Sequence, residues 1–205
     1  MGRTRRTNRA RRGSSSQEGN SGLDRSFSPA TVRRMAEQRG EMALTVVWMR
    51  HGKSSWDQPV TDERRELAPR GQANATAAGE LLVSRGIAFD LVIHSPAERA
   101  RQTWQYVSEA GVSAAEVREE VGLYEGDAEA IVRIVADAAA GTTLVIGHEP
   151  TIGEAVELSA TREATKAWAA FDIKYPTSAM ATVEAASADD LVAGTGRLVD
   201  FVVPR

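Results

Sequence analysis

Short, dense apolar runs alternate along this chain with longer stretches whose apolar residues recur at helical spacing. Leu44-Thr45-Val46-Val47-Trp48-Met49 is nearly unbroken and rich in β-branched residues, the pattern of a strand buried on both faces. Phe89 to His94 and Thr143 to Ile146 repeat it. Between the first two runs, Gly71 to Arg85 sets Ala73, Ala77, Ala78, Leu81 and Leu82 on one helical stripe, closed by Gly86. Ser95-Pro96 supplies an N-cap hydroxyl and a proline at the first helical position, predicting a helix to about Ala110. A further helix is predicted from Asp127 to Ala140, with Ile131, Ile134, Val135 and Ala138 inward, and another from Pro150 to about Leu158. Ala179 to Ala185 and Arg197 to Val203 alternate as two late strands. This alternation predicts an α/β fold: a single three-layer α/β/α domain over residues 42–205 around a mostly parallel sheet.

The first forty residues break the pattern. They hold ten arginines against Glu18, Asp24 and Glu37, and few large apolar side chains, too little to bury a core. Residues 1–41 are therefore expected to be a disordered Arg/Ser-rich tail, or to lie upstream of a true start at Met35 or Met42. Two other readings are a phosphate-attracting arm, which is where any nucleic-acid contact would lie, and a transit peptide. No signal-like apolar core and no membrane-spanning run occurs, so a cytoplasmic protein without a membrane partner is expected. Cysteine is absent, which excludes disulfide scaffolds, Cys-zinc sites and thiol nucleophiles. The formal charge of −3 hides a split. The tail carries +7, while the remainder holds fifteen basic against twenty-five acidic side chains.

The three histidines, His51, His94 and His148, each fall just beyond a predicted buried strand, the edge of an α/β sheet where ligands bind. A histidine at such a place is by default a hydrogen-bonded surface residue, so the neighbours decide. Arg50 supplies a planar cation and Gly52 a tight turn beside His51, whose neutral imidazole is a competent nucleophile toward phosphorus. Arg99 falls in the first turn of the helix after Ser95-Pro96, where unpaired N–H groups attract anions, whereas Arg101 should point to solvent. Gly147-His148 ends the third strand. Arginines, histidines and helix N-termini at three strand ends suit a dianionic phosphoryl group and its transfer.

Arg50-His51-Gly52, Ser95-Pro96-x-x-Arg99-Ala100-x-Gln102-Thr103 and Val145-Ile146-Gly147-His148-x-Pro150 together resemble the histidine phosphatase (phosphoglycerate-mutase-like) superfamily, most closely its SixA-type phosphohistidine phosphatase branch. Arg65-Glu66-Leu67-Ala68-Pro69-Arg70-Gly71 resembles a further segment of that branch, with Ala68 where threonine is usual, and Thr177-Ser178-Ala179 another. The resemblance implies that His51 attacks phosphorus and is transiently phosphorylated. It implies that Arg50, Arg99 and His148 hold the non-bridging oxygens, that water then releases phosphate, and that no metal or other cofactor is needed. Gly52, Lys53 and Ser54 are placed as substrate-binding neighbours, Lys53 adding positive potential at the pocket mouth.

A general acid is harder to place. Glu119, Glu120, Glu125 and Asp127 are the candidates, Glu125 first as proton donor, against a plain reading as a solvated acidic loop. Members of the SixA-type branch resemble this chain in lacking an unambiguous acid, and imidazole leaves more readily than an alkoxide. His94 sits where the family pattern asks for no histidine. Trp56, in a polar loop, should pack or meet substrate, while Trp104 and Trp168 should pack in or beside the core. The expected activity is a metal-independent phosphatase acting on phosphohistidine of a protein. The alternatives are a phosphomonoesterase on small-molecule or nucleotide phosphates and a weakly catalytic phosphopeptide-binding module. The oligomeric state is not readable.

Overall fold

The computed structural model describes residues 43–57 and 59–204, so the expectations for residues 1–41 lie outside it. Strand β1, Leu44–Arg50, runs through the middle of a seven-stranded sheet. The others are β2 (Phe89–His94), β3 (Ala114–Glu119), β4 (Thr142–Gly147), β5 (Ala160–Thr161), β6 (Met180–Ala185) and β7 (Gly196–Val202), in the order β3-β2-β4-β1-β6-β7-β5. The pairs β1–β4, β2–β4, β2–β3 and β5–β7 are parallel; only β6 runs against its neighbours.

The apolar runs are continuous because helices cover both faces of these strands. Helices α1 (Pro69–Ser84) and α2 (Glu98–Glu109) bury Ala78, Leu82, Ala100 and Val107 against Val47, Met49, Val92, Leu144 and Ile146. On the other face, α4 (Ala128–Ala138), α5 (Thr151–Ser159), α6 (Lys166–Ile173) and α7 (Ala188–Val192) pack on Val46, Trp48, Leu91, Ile93, Val145 and Val183. Alternate residues of β1 thus feed opposite layers, the period of two that a strand imposes. A one-turn helix, α3 (Gly122–Glu125), and a single 3-10 turn, Asp62–Arg64, sit in the loops. No helix among the described residues is long and apolar enough to cross a membrane.

Several local expectations shift. The inward stripe of α1 is Gly71, Ala75, Ala78 and Leu82, and Ala73 is exposed; glycines at 71 and 79 let that face approach its neighbours closely. Helix α2 starts at Glu98 after an N-cap at Ala97, and Ser95 lies two places earlier, its Oγ accepting from Ala97 N at 3.3 Å and not from the first helical turn. In α4, Val132 and Ala136 are buried while Ile134 and Ala138 are only partly so. Strand β3 has no counterpart in the apolar pattern. Its Ala-Ala-Glu-Val-Arg-Glu is an edge strand, and charges there discourage further pairing.

Candidate active site

The strand order explains why distant motifs meet. The chain leaves β1, skips a place to form β2, and only later inserts β4 between them. The parallel register pairs Arg50 with Gly147 and His94 with Ile146, so the residues just beyond three adjacent strands share one edge. His51 and His148 therefore face each other, ring centroids 4.9 Å apart.

His51 is buried, and its Nδ1 lies 2.7 Å from its neighbour's carbonyl, Gly52 O. A carbonyl only accepts, so Nδ1 carries the proton and Nε2 keeps its lone pair. That lone pair accepts from Arg99 Nε at 3.3 Å. Burial, then the proximity of His148, Arg99 and Arg50, pushes the His51 pKa down to about 3, against a weaker upward pull from Gly52. His148 is pushed down to about 4, by burial first and Arg99 next. Its Nδ1 accepts from Arg99 Nη2 at 3.2 Å, which leaves Nε2–H to donate to Ser95 Oγ at 2.7 Å. Both rings are neutral at physiological pH.

Arg99, itself buried, links the whole group. Its Nε meets His51, its Nη2 meets His148 and Asp62 Oδ2 (2.9 Å), and its Nη1 meets the Asp62 carbonyl (2.6 Å). Arg50 donates through Nη1 to Tyr175 O at 2.8 Å, and its buried Nε has no partner. Tyr175 Oη in turn donates to Trp48 O at 2.6 Å. Ser178, at φ 65°, turns the chain into β6 and donates its N–H to Arg50 O at 3.0 Å. A non-glycine residue held left-handed in the interior marks a constrained turn, here at the root of Arg50.

The remaining motif residues are scaffolding. Gly52 N donates to Thr103 Oγ1 at 2.9 Å, and that hydroxyl donates to Arg99 O at 2.6 Å, tying the His51 loop to the turn that carries Arg99. Gln102 Oε1 accepts from Leu67 N at 2.8 Å, which fixes the 65–71 segment. Gly71 passes so close to Lys53 that a Cβ there would lie 2.2 Å from Lys53 O. A Cβ on Gly52 would lie 2.9 Å from Gly71 O.

The structure brings His51, Arg50, Arg99, His148 and Gly52 together and leaves other candidates outside. Lys53 is exposed, and Ser54 is buried with its hydroxyl accepting from Arg65 Nη1 at 2.9 Å. Glu125 is exposed at the end of α3, and no hydrogen bond joins it to the pocket. Glu119 is exposed at the end of β3, Glu120 accepts from Gly122 N, and Asp127 caps α4 by accepting from Ala130 N at 2.9 Å. His94 is buried and bonded to Ser95 O. Arg101 is exposed and paired with Glu98. Trp168 is buried and Trp104 packs beside the core. Trp56 is 72% exposed but has the Arg65 guanidinium 3.8 Å over its ring.

Sequence reasoning missed Asp62 and Tyr124. Tyr124, one place before Glu125, stands edge-on to His148 with centroids 5.5 Å apart and donates to Asp62 Oδ2 at 3.1 Å. Successive helical residues point about 100° apart, so α3 turns its tyrosine to the pocket and its glutamate away. Asp62 lies in a charged 3-10 turn with no periodicity to single it out; its spacing from Arg65 was the one local signal.

A model of the histidine phosphatase superfamily (branch 1) matches residues 46–138. An uncharacterized protein of Mycobacterium leprae is 36% identical over 167 residues, 77% of this chain and all of that one. A solved structure assigned as the phosphohistidine phosphatase SixA of Nakamurella multipartitia is 32% identical with a TM-score of 0.69, covering 79% of this chain and 96% of that one. Another, assigned to SixA of Agrobacterium tumefaciens, is 26% identical with a TM-score of 0.65, covering 78% and 99%.

Proposed function

Since this chain belongs to the histidine phosphatase superfamily, in its SixA-type branch, we propose that it is a phosphatase working through a phosphorylated His51, with phosphohistidine on a protein as favoured substrate. The observation that carries this reading is the state of His51. Its Nδ1–H is held by Gly52 O and its Nε2 lone pair points at Arg99, so a neutral nucleophile stands beside a fixed cation. Attack by Nε2 on phosphorus turns the ring into a cation, which the Gly52 carbonyl stabilises through Nδ1–H. Arg99, Arg50 and His148 take the non-bridging oxygens. The unpartnered Arg50 Nε is one donor that a phosphoryl oxygen satisfies. His148 reaches an oxygen by exchanging its ring contacts with Arg99 and Ser95. Gly52 shapes the turn below the phosphoryl group, Ser54 anchors Arg65, and Lys53 adds charge at the mouth. Water then attacks the phosphohistidine and releases phosphate.

The four acidic candidates around Glu125 are solvated or used as caps, which favours a leaving group that needs no strong acid, as imidazole does. We assign this activity to residues 42–205 and place it in the cytoplasm. The test is His51→Ala: phosphate release from an aryl phosphate and from a phosphohistidine peptide should fall at least about a thousandfold. Wild-type protein quenched during turnover should carry an acid-labile phosphoryl group on His51. Unchanged release by His51→Ala overturns the mechanism. Wild-type turnover of sugar or nucleotide phosphates far above the phosphohistidine peptide overturns the substrate.

A further inference from the structure

A carboxylate occupies the anion-binding end of Arg99. Asp62 takes both terminal nitrogens of that guanidinium, one through its main-chain carbonyl and one through Oδ2. Its Oδ1 is gripped by Arg65 Nε at 3.0 Å and Nη2 at 2.6 Å, and Tyr124 Oη donates to Oδ2. Partial burial pushes the Asp62 carboxyl up, but hydrogen bonds from Arg65 and the Arg99 charge outweigh it and hold the group below the usual carboxylate range. Asp62 is therefore an anion at neutral pH, with no proton to donate. Its side chain is half exposed against a buried Arg99, so it stands on the solvent side of the guanidinium.

That placement opposes the binding of any dianion, through repulsion and through competition for the same donors. It can favour a substrate only through the group that leaves. In-line transfer to His51 Nε2 puts the leaving atom on the far side of phosphorus, toward the solvent side where Asp62 stands. A departing alkoxide or phenolate meets a negative neighbour there. An imidazole that carries phosphoryl on one nitrogen and hydrogen on the other is cationic, and the same carboxylate stabilises it.

We propose that Asp62 is a specificity residue: displaced from Arg99 by the entering phosphoryl group, but kept at the mouth by Arg65 and Tyr124, it accepts the N–H of the substrate's phosphorylated imidazolium and so selects phosphoryl groups carried on basic nitrogen. This rests on the phosphohistidine reading above and adds the residue that enforces it. The transfer balances without an acid. The His51 Nε2–P bond forms, the substrate N–P bond breaks, and the bonding pair returns to the leaving nitrogen. The leaving ring departs as neutral imidazole with its N–H proton, while His51 becomes the phosphorylated cation. Water then attacks phosphorus, the pair returns to Nε2, and both water protons leave on the phosphate.

The experiment is Asp62→Asn in the full chain, which removes the charge and keeps the shape. Three quantities are compared with wild type: kcat/KM on a phosphohistidine peptide, kcat/KM on para-nitrophenyl phosphate, and inhibition by orthovanadate. Loss of a hydrogen bond to a charged group should lower the phosphohistidine value at least about tenfold. The aryl phosphate value should rise and vanadate should bind more tightly, because Arg99 loses its resident anion. Asp62→Glu should recover part of the phosphohistidine preference. If both substrates improve, Asp62 is merely a competitor for Arg99 and the proposal fails. If both decline in parallel, it is structural support and the proposal fails. If wild type hydrolyses the aryl phosphate and ignores phosphohistidine, the substrate reading falls first and this one with it.

Discussion

Two neutral histidines, His51 buried and His148 mostly so, should make the fold sensitive to mild acid in a window where carboxylates contribute little. Both His51 and His148 have their folded pKa below the ordinary 6.5, at about 3 and about 4. The unfolded chain takes up these protons first, so the stabilisation is complete above the unfolded pKa and is lost as pH falls toward the folded values. From about pH 7.5 to about pH 5.5 each ring costs about 1.3 kcal/mol, since the unfolded pKa sets the onset and the folded value lies well below the window. Because His148 is partly exposed, the combined loss is between about 2 and about 3 kcal/mol. Urea unfolding followed by tryptophan fluorescence at the two pH values measures it directly. His51→Asn, whose amide still donates to the Gly52 carbonyl, should lose about half of the pH dependence. A wild-type difference under about 1 kcal/mol, or a variant with the wild-type dependence, refutes the assignment of these rings as neutral in the folded chain.

Gly71→Ala drives a methyl into the Lys53 backbone and should cost about 2–4 kcal/mol in urea unfolding, because main chain on both sides cannot yield as a side chain would. Thr103→Val leaves the buried Gly52 N–H without its acceptor while keeping the volume; the fold should persist with about 1–2 kcal/mol less stability and a kcat about tenfold lower, read by unfolding and by aryl phosphate turnover.

Strands β1, β2 and β4 were legible because burial on both faces demands unbroken apolar sequence, and few other elements do. The meeting of His51, Arg50 and Arg99 at one sheet edge was legible because each lies within a residue or a helical turn of such a strand. Helix registers were less so: α1 is rich in alanine and glycine, so neighbouring stripes look alike until Gly71 and Gly79 are seen to pack. Strand β3, exposed and charged, is held by its pairing with β2 and not by its own apolar content. Ser95 reads locally as a helix cap, yet its hydroxyl reaches only Ala97 N locally and also meets His148, which follows a strand formed much later in the chain. Asp62 and Tyr124 meet across sixty-two positions, one in a 3-10 turn and one on a single-turn helix, and only the folded chain places them together.

The insertion of β4 between β1 and β2 also sets when the site can exist. His51 and Arg99 are made early, but the sheet that aligns them has a gap until residues 142–147 slot in. A central parallel strand that arrives after both of its neighbours gives the domain many non-local contacts, which slow folding. As the ribosome releases this chain, both residues emerge well before the pocket is complete, and a nascent chain stopped short of β4 has His51 with no His148 across the cleft. The pocket therefore completes late: β4 sets His148 across from His51, and only residues further on, Tyr175 and Ser178, anchor Arg50.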